Sequence, residues 1–231
     1  WPAWLRFQPE ALRVPRLPHP PTPDCRPSSC AWPSFFLEGR CHLLTYKSYP
    51  NPQSILELGA GNLNHVKYEK NFKYYDVIEP KEFLINASDP FERNKITNIY
   101  SDIRELPENK FYEKIISIGV LEHIEELDYV LQQISYKLTP QGKFLVTIPA
   151  EGELLWWLGW RLTTGIAFWL KHKLDYGVIM RYEHVNTASK IIRSLNKYFK
   201  IDTIKSFPFN IRNFRLLIYI SMSKKKIFKI T

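Results

Sequence analysis

The sequence predicts an α/β fold with a largely parallel sheet and crossover helices. Three features point there. Short apolar runs closed by Gly or Pro alternate with stretches of helical spacing. The strand Tyr112–Gly119 carries a concentrated apolar stretch in Ile115, Ile116 and Ile118, as expected of a strand covered on both faces. A buried-type strand, Gln53–Leu58, runs straight into Gly59-Ala60-Gly61, the turn such sheets use where the backbone must bend sharply beside a ligand.

The elements follow in order. After Gln53–Leu58 the next strand is Tyr74–Glu79, stopped by Pro80, and then Ile96–Tyr100. Tyr112–Gly119 is the fourth. Leu127–Leu138 carries apolar residues at 127, 130, 131, 134 and 138, which is helical spacing. Thr139-Pro140-Gln141-Gly142 reads as a turn before the strand Lys143–Ile148. Thr187–Tyr198 reads as a helix. Ile201–Pro208 and Phe214–Met222 read as the last two strands.

The first 43 residues differ from the rest. They hold five Arg and no Lys, whereas residues 44–231 hold seven Arg and twenty Lys. Nine of the seventeen prolines fall in residues 1–33, and such runs cannot sustain a helix or a central strand. Residues 1–43 are therefore expected to be a disordered or non-native segment, with the folded domain at 44–231. All three cysteines, Cys25, Cys30 and Cys41, lie upstream of Leu44, so that domain can hold no internal disulfide, which fits a reducing, cytoplasmic setting. With His42 they lack the paired spacing of structural zinc modules, and no metal is expected. The net charge of +9 favours an anionic surface or ligand without choosing among them.

The ends of successive strands carry chemically apt residues. Glu79 closes the second strand eighteen residues after Gly61, where a carboxylate can accept ribose hydroxyls. Asp102 and Ile103 follow the third, one to accept from an exocyclic amino group and one to pack on a purine. Gly119-Val120-Leu121-Glu122-His123-Ile124 follow the fourth. A Gly-x-Gly turn alone fits a plain strand-to-helix connection equally well; it is the ordered series that is specific.

That series, LELGAGN, DVIEP, SDI, IISIGVLEHI and LTPQGKFLVTIP, resembles class I S-adenosylmethionine-dependent methyltransferases, in particular the type 11 branch. The resemblance implies a Rossmann-like, doubly wound, mostly parallel seven-stranded sheet with an antiparallel last strand, and S-adenosyl-L-methionine as cofactor. It implies that Glu57, Gly59 and Gly61 line the methionine end, that Glu79 holds the ribose and Asp102 with Ile103 the adenine, and that Leu121 to His123 lie near the reacting methyl. The sequence departs from the pattern in three ways. Leu63 stands where many relatives have a third glycine. The short stretch before the second strand leaves room only for a reduced first helix. A Pro-rich stretch stands where helices usually cap the site.

A hydroxyl acceptor would call for a base, for which His123 and His184 are candidates; each could equally be a ring that hydrogen-bonds the fold. Glu122 could act beside them, or cap the following helix. The apolar stretch 153–173 holds four of the seven tryptophans, with Lys171 and Lys173 at its end. It reads as a lid, a homodimer contact or a membrane-surface helix, with a spanning helix the least fitting alternative. The expected substrate is a small-molecule or lipid-linked acceptor (a lipid, quinone or glycan precursor), with peripheral contact to the inner face of a membrane. Nucleic acid is not expected, because Gly119-Val120-Leu121-Glu122 stands where base-modifying relatives carry Asn/Asp-Pro-Pro-aromatic. The competing reading is a non-catalytic scaffold that kept the fold.

Overall fold

The computed structural model describes residues 32–166, 169–170, 173, 177 and 184–225. Seven strands form one sheet: β1 Ser54–Leu58, β2 Tyr74–Ile78, β3 Asn98–Tyr100, β4 Tyr112–Ile118, β5 Leu138–Pro149, β6 Phe199–Pro208 and β7 Arg215–Lys224. Their order is β3-β2-β1-β4-β5-β7-β6, and β7 alone runs antiparallel to its neighbours. This is the expected seven-stranded, doubly wound arrangement. Chain order reverses between β1 and β4, so their carboxyl ends flank the crevice where such sheets bind ligands.

Side-chain alternation assigns each face. On one, Leu56, Ile115, Phe144, Val146 and Ile220 pack with Leu127, Leu131 and Ile134 of α4 (Leu127–Lys137) and Ile191 and Leu195 of a later helix, Ala188–Tyr198. Each fully buried Leu or Ile contributes about 1.5–3 kcal/mol relative to exposure. Thr187 caps that later helix by accepting from the Lys190 N–H at 3.4 Å. On the other face, Ile55, Tyr75, Val77 and Ile116 pack with Leu63, Val66 and Ile85, the last from α2, Glu82–Asn86. The short helix α3, Pro90–Arg93, follows, capped by Asp89.

The boundary expected at residue 43 does not coincide with a structural one. Helix α1 runs Trp32–Ser48 and buries Cys41, His42 and Thr45. The last proline of the upstream segment, Pro33, sits in its first turn, where a missing N–H costs no helical bond. The remainder of the Pro-rich segment, with Cys25 and Cys30, lies outside the described residues. A helix therefore does precede β1, on the face that carries Leu63 and Val66.

Two further expectations change in detail. The turn at residues 139–142 lies within the β5 ladder as an irregularity: Leu138 pairs with Tyr112, and the next partners are Lys143 and Lys114. The reduced first helix is a single 3₁₀ turn, Val66–Tyr68. The apolar stretch begins as α5, Leu154–Trp160, and continues as a π-helical turn, Arg161–Gly165. Among the described residues no helix is long and apolar enough to cross a membrane. The helix Ala188–Tyr198 is designated α6 below.

Candidate active site

The site is built from the carboxyl ends of β1 to β5. At the end of β1 the chain turns through Gly59 and Gly61, with φ of 69° and 53°. Gly59 donates to the Ile78 carbonyl at 2.8 Å, and a Cβ there would lie 2.4 Å from Val120 Cγ2. The loop is thus pressed onto the β4 turn with room only for hydrogen. At Gly61 a Cβ would meet nothing within 4 Å, so the loop faces open space. Leu63 has φ 61° and is buried. The residue in the place of a third glycine adopts the conformation glycine would favour, at about 1–2 kcal/mol. Its buried side chain offsets this by about 1.5–3 kcal/mol.

Glu79, at the end of β2, is buried beside this loop. Its Oε2 accepts from the Gly61 N–H at 2.8 Å and its Oε1 from the Lys81 N–H at 3.1 Å. Burial pushes its pKa up, and the two N–H bonds pull against that. Glu57, one residue inside β1, accepts from the Tyr75 hydroxyl at 2.6 Å. Burial raises its pKa to about 8. Asp102, past β3, is half exposed: Oδ1 accepts from the Arg104 N–H at 2.8 Å and Oδ2 pairs with its guanidinium at 3.1 Å. Ile103 is buried in the core next to it in sequence. Sequence-predicted Glu57, Gly59, Gly61, Glu79, Asp102 and Ile103 thus occupy three adjacent strand ends.

The β4 end carries the second cluster. Gly119, at φ 65°, leads into the 3₁₀ turn Leu121–His123. Leu121 is fully buried. Glu122 is buried as well, its Oε2 has no hydrogen-bond partner among the described residues, and burial raises its pKa to about 7. The His123 ring meets the His184 ring edge-to-face at 4.7 Å, and its Nε2 is 4.0 Å from Glu122 Oε1. His184 Nδ1 lies 2.8 Å from Glu151 Oε2, just past β5, and Trp156 of α5 sits 6.1 Å from the same ring. The three residues that the sequence offered as candidates for acid–base work, Glu122, His123 and His184, are brought together.

Sequence reasoning missed two members. Glu151 follows the predicted strand end by three residues, a signal too weak alone. Asn186 is fully buried and staples the 3₁₀ turn. Its Nδ2 donates to the Leu121 and Ile124 carbonyls at 2.9 and 2.6 Å, and its N–H donates to the Glu122 carbonyl at 3.1 Å. Contacts across more than sixty residues leave no local pattern.

A third polar group lies under α1. His42 Nδ1 is 2.9 Å from His65 Nδ1, and His65 Nε2 is 2.7 Å from Glu69 Oε1. Lys114 of β4 bonds Glu69 at 2.5 Å and the Tyr49 carbonyl at 3.1 Å. Burial lowers the His65 pKa to about 4, so His65 is neutral near pH 7 and Glu69 and Lys114 form the ion pair. Among the described residues no group of three or more His, Cys, Asp or Glu could hold a metal ion.

The residues present fit an adenosine-type sulfonium cofactor: a glycine loop facing open space, a buried carboxylate beside it, and an orphaned buried Glu122 oxygen at the neighbouring strand end. A family model described as a methyltransferase domain matches residues 37–176, more than half of the chain. No curated protein matches the sequence. The chain is similar in fold to several solved structures. The N-methyltransferase NodS from Bradyrhizobium japonicum WM9, in complex with S-adenosyl-L-homocysteine, is 14% identical. There 83% of this chain and 87% of that one are covered, with a TM-score of 0.60. PH0226 protein from Pyrococcus horikoshii OT3 is 17% identical over 84% and 92%, with a TM-score of 0.59. Magnesium protoporphyrin IX methyltransferase (ChlM) from Synechocystis PCC 6803, with bound S-adenosyl-L-homocysteine, is 12% identical over 83% of each chain, with a TM-score of 0.54. The chain belongs to the methyltransferase domain family, and is an S-adenosylmethionine-dependent methyltransferase.

Proposed function

We propose that this methyltransferase acts on a hydroxyl of an apolar, small-molecule or lipid-linked acceptor, such as a lipid, a quinone or a glycan precursor. The observation that carries this reading is the His184–Glu151 pair at 2.8 Å, with His123 and Glu122 against it and Trp156 alongside. A sulfonium methyl is already a strong electrophile, so the chain's task is to align the acceptor, exclude water and take up a proton. Glu151 holds the His184 ring through Nδ1, and Nε2 is then the atom that takes the hydroxyl proton. Glu122 places a buried carboxylate near the developing positive ring. Glu57, Gly59 and Gly61 serve the methionine end, Glu79 the ribose hydroxyls, Ile103 the adenine face, and Leu121 the wall beside the methyl. Asp102 would meet the adenine amino group with the lone pairs that Arg104 leaves open. The tryptophan-rich α5 supplies an apolar wall, which suits a greasy acceptor, and peripheral membrane contact follows from the same wall.

The test is methyl transfer from labelled S-adenosylmethionine into a membrane lipid extract by the full chain. Label is expected in the organic phase, with kcat about 10²–10⁴-fold lower for His184→Ala and Glu151→Gln at unchanged cofactor affinity. Label confined to water-soluble acceptors, or full activity in both variants, would overturn the assignment.

A further inference from the structure

We propose that the rim of the site formed by α5 and the β6–β7 loop docks on an anionic lipid bilayer. This deepens the reading of a lipid-linked acceptor, and rests on it for the choice of a lipid over a protein partner.

Two separate stretches of chain make one rim. Glu153, just before α5, accepts from the Arg215 side chain through both oxygens, at 3.0 and 2.6 Å. Its Oε2 also accepts from the Asn213 N–H at 3.0 Å. Leu155 donates from its backbone to the Asn213 carbonyl at 2.9 Å, and a Cβ on Gly159 would lie 3.4 Å from Leu216. A bidentate pair between buried Glu153 and half-buried Arg215, plus backbone bonds, fixes the loop against the helix.

The joined rim is apolar and exposed. Leu154, Trp157 and Leu162 on one stretch and Phe209, Ile211 and Phe214 on the other are each 44–64% exposed. Exposed aromatic and branched side chains gathered on two adjoining elements exceed what a monomer's surface ordinarily scatters. Apart from the Glu153–Arg215 pair that joins the two stretches, the charge on the rim is of one sign. Among the described residues of 154–173 and 209–214 the charged side chains are Arg161, Lys173 and Arg212, with no Asp or Glu. The Arg161 guanidinium lies 4.7 Å from the Trp157 ring centroid and the Lys173 ammonium 4.6 Å from that of Trp169. Cations held over tryptophan faces suit a membrane interface, where the ring enters the headgroup region and the cation stays with the phosphates. Trp156 of the same helix faces His184, so this surface adjoins the chemistry.

The test uses the full chain with vesicles of phosphatidylcholine alone and of phosphatidylcholine with phosphatidylglycerol. The protein should sediment with the anionic vesicles and not with the neutral ones. Lys173→Gln with Arg212→Gln should lower the partition roughly 30-fold, which is about 2 kcal/mol at about 1 kcal/mol per basic residue. Ile211→Asp with Phe214→Asp should abolish it. These side chains are exposed, so S-adenosylmethionine binding should survive in both variants and report an intact fold. Absence from anionic vesicles, insensitivity to both double substitutions, or a dimer in sedimentation velocity that the apolar substitutions dissociate would each overturn the proposal. Methyl transfer to a detergent-dispersed lipid acceptor separates the two readings: its persistence in vesicle-defective variants leaves the acceptor reading standing, and its absence in wild-type protein that still binds vesicles removes that reading alone.

Discussion

Replacing Glu122 by Gln should stabilise the protein at alkaline pH and leave it nearly unchanged in acid. The carboxyl is buried, one oxygen has no hydrogen-bond partner among the described residues, and burial raises its pKa from 4.5 to about 7. A group whose pKa is higher in the folded state is held protonated by folding. Its contribution is therefore complete below about pH 4.5 and is lost as pH rises through about 7. At 1.36 kcal/mol per pH unit the charged form costs about 3 kcal/mol at pH 8.5. Gln keeps the shape and cannot ionise, and its amide faces the same need for partners as the protonated carboxyl it replaces. The expected gain for Glu122→Gln is then about 2–3 kcal/mol at pH 8.5 and near zero at pH 4.5. For a chain of this size that is a rise in Tm of roughly 4–12 °C. Urea unfolding at the two pH values measures the difference, with the slope m unchanged. Glu57 and Glu79 titrate in the same direction but are common to both proteins, so they cancel in the comparison. A variant less stable than wild type at pH 8.5, or a gap independent of pH, would refute the reasoning. Methyl transfer should fall even as stability rises, the usual sign of a charge retained for function.

Two further predictions follow from the loops. Gly59→Ala combines a left-handed φ, about 1–2 kcal/mol, with a clash against Val120, about 1–3 kcal/mol; adding Val120→Ala should recover most of the second part in a double-mutant cycle, and Gly61→Ala should show only the first. Asn186→Ala strips donors from two carbonyls, so it should cost about 2–5 kcal/mol in denaturant unfolding and depress kcat more than it raises KM, because the turn that carries Glu122 and His123 is released.

The sheet was legible because its strands are short apolar runs closed by Gly or Pro, and because the residues that end them sit at fixed places in such a sheet. Glu79 and Gly61 meet through a hydrogen bond between adjacent strand ends, which parallel pairing of β1 with β2 dictates. The extent of α1 was not legible. Proline density masked a helix whose only proline stands in the first turn, and its burial depends on His65, Glu69 and Lys114, residues that local pattern reads as surface. Leu63 looked like a defect in the glycine pattern; its backbone keeps the glycine conformation and its side chain joins the core. Glu151 and Asn186 escaped notice because each acts on a partner more than thirty residues distant. A side chain acquires such a role only when the sheet closes.

The most direct test is titration of the full chain with S-adenosylmethionine, for wild type and Glu79→Ala. Binding in the micromolar range, weakened at least tenfold in a variant that remains folded, is the predicted result, since Glu79 is the buried carboxylate at the glycine loop. A folded wild-type protein that does not bind, or one whose affinity ignores Glu79, would contradict the account.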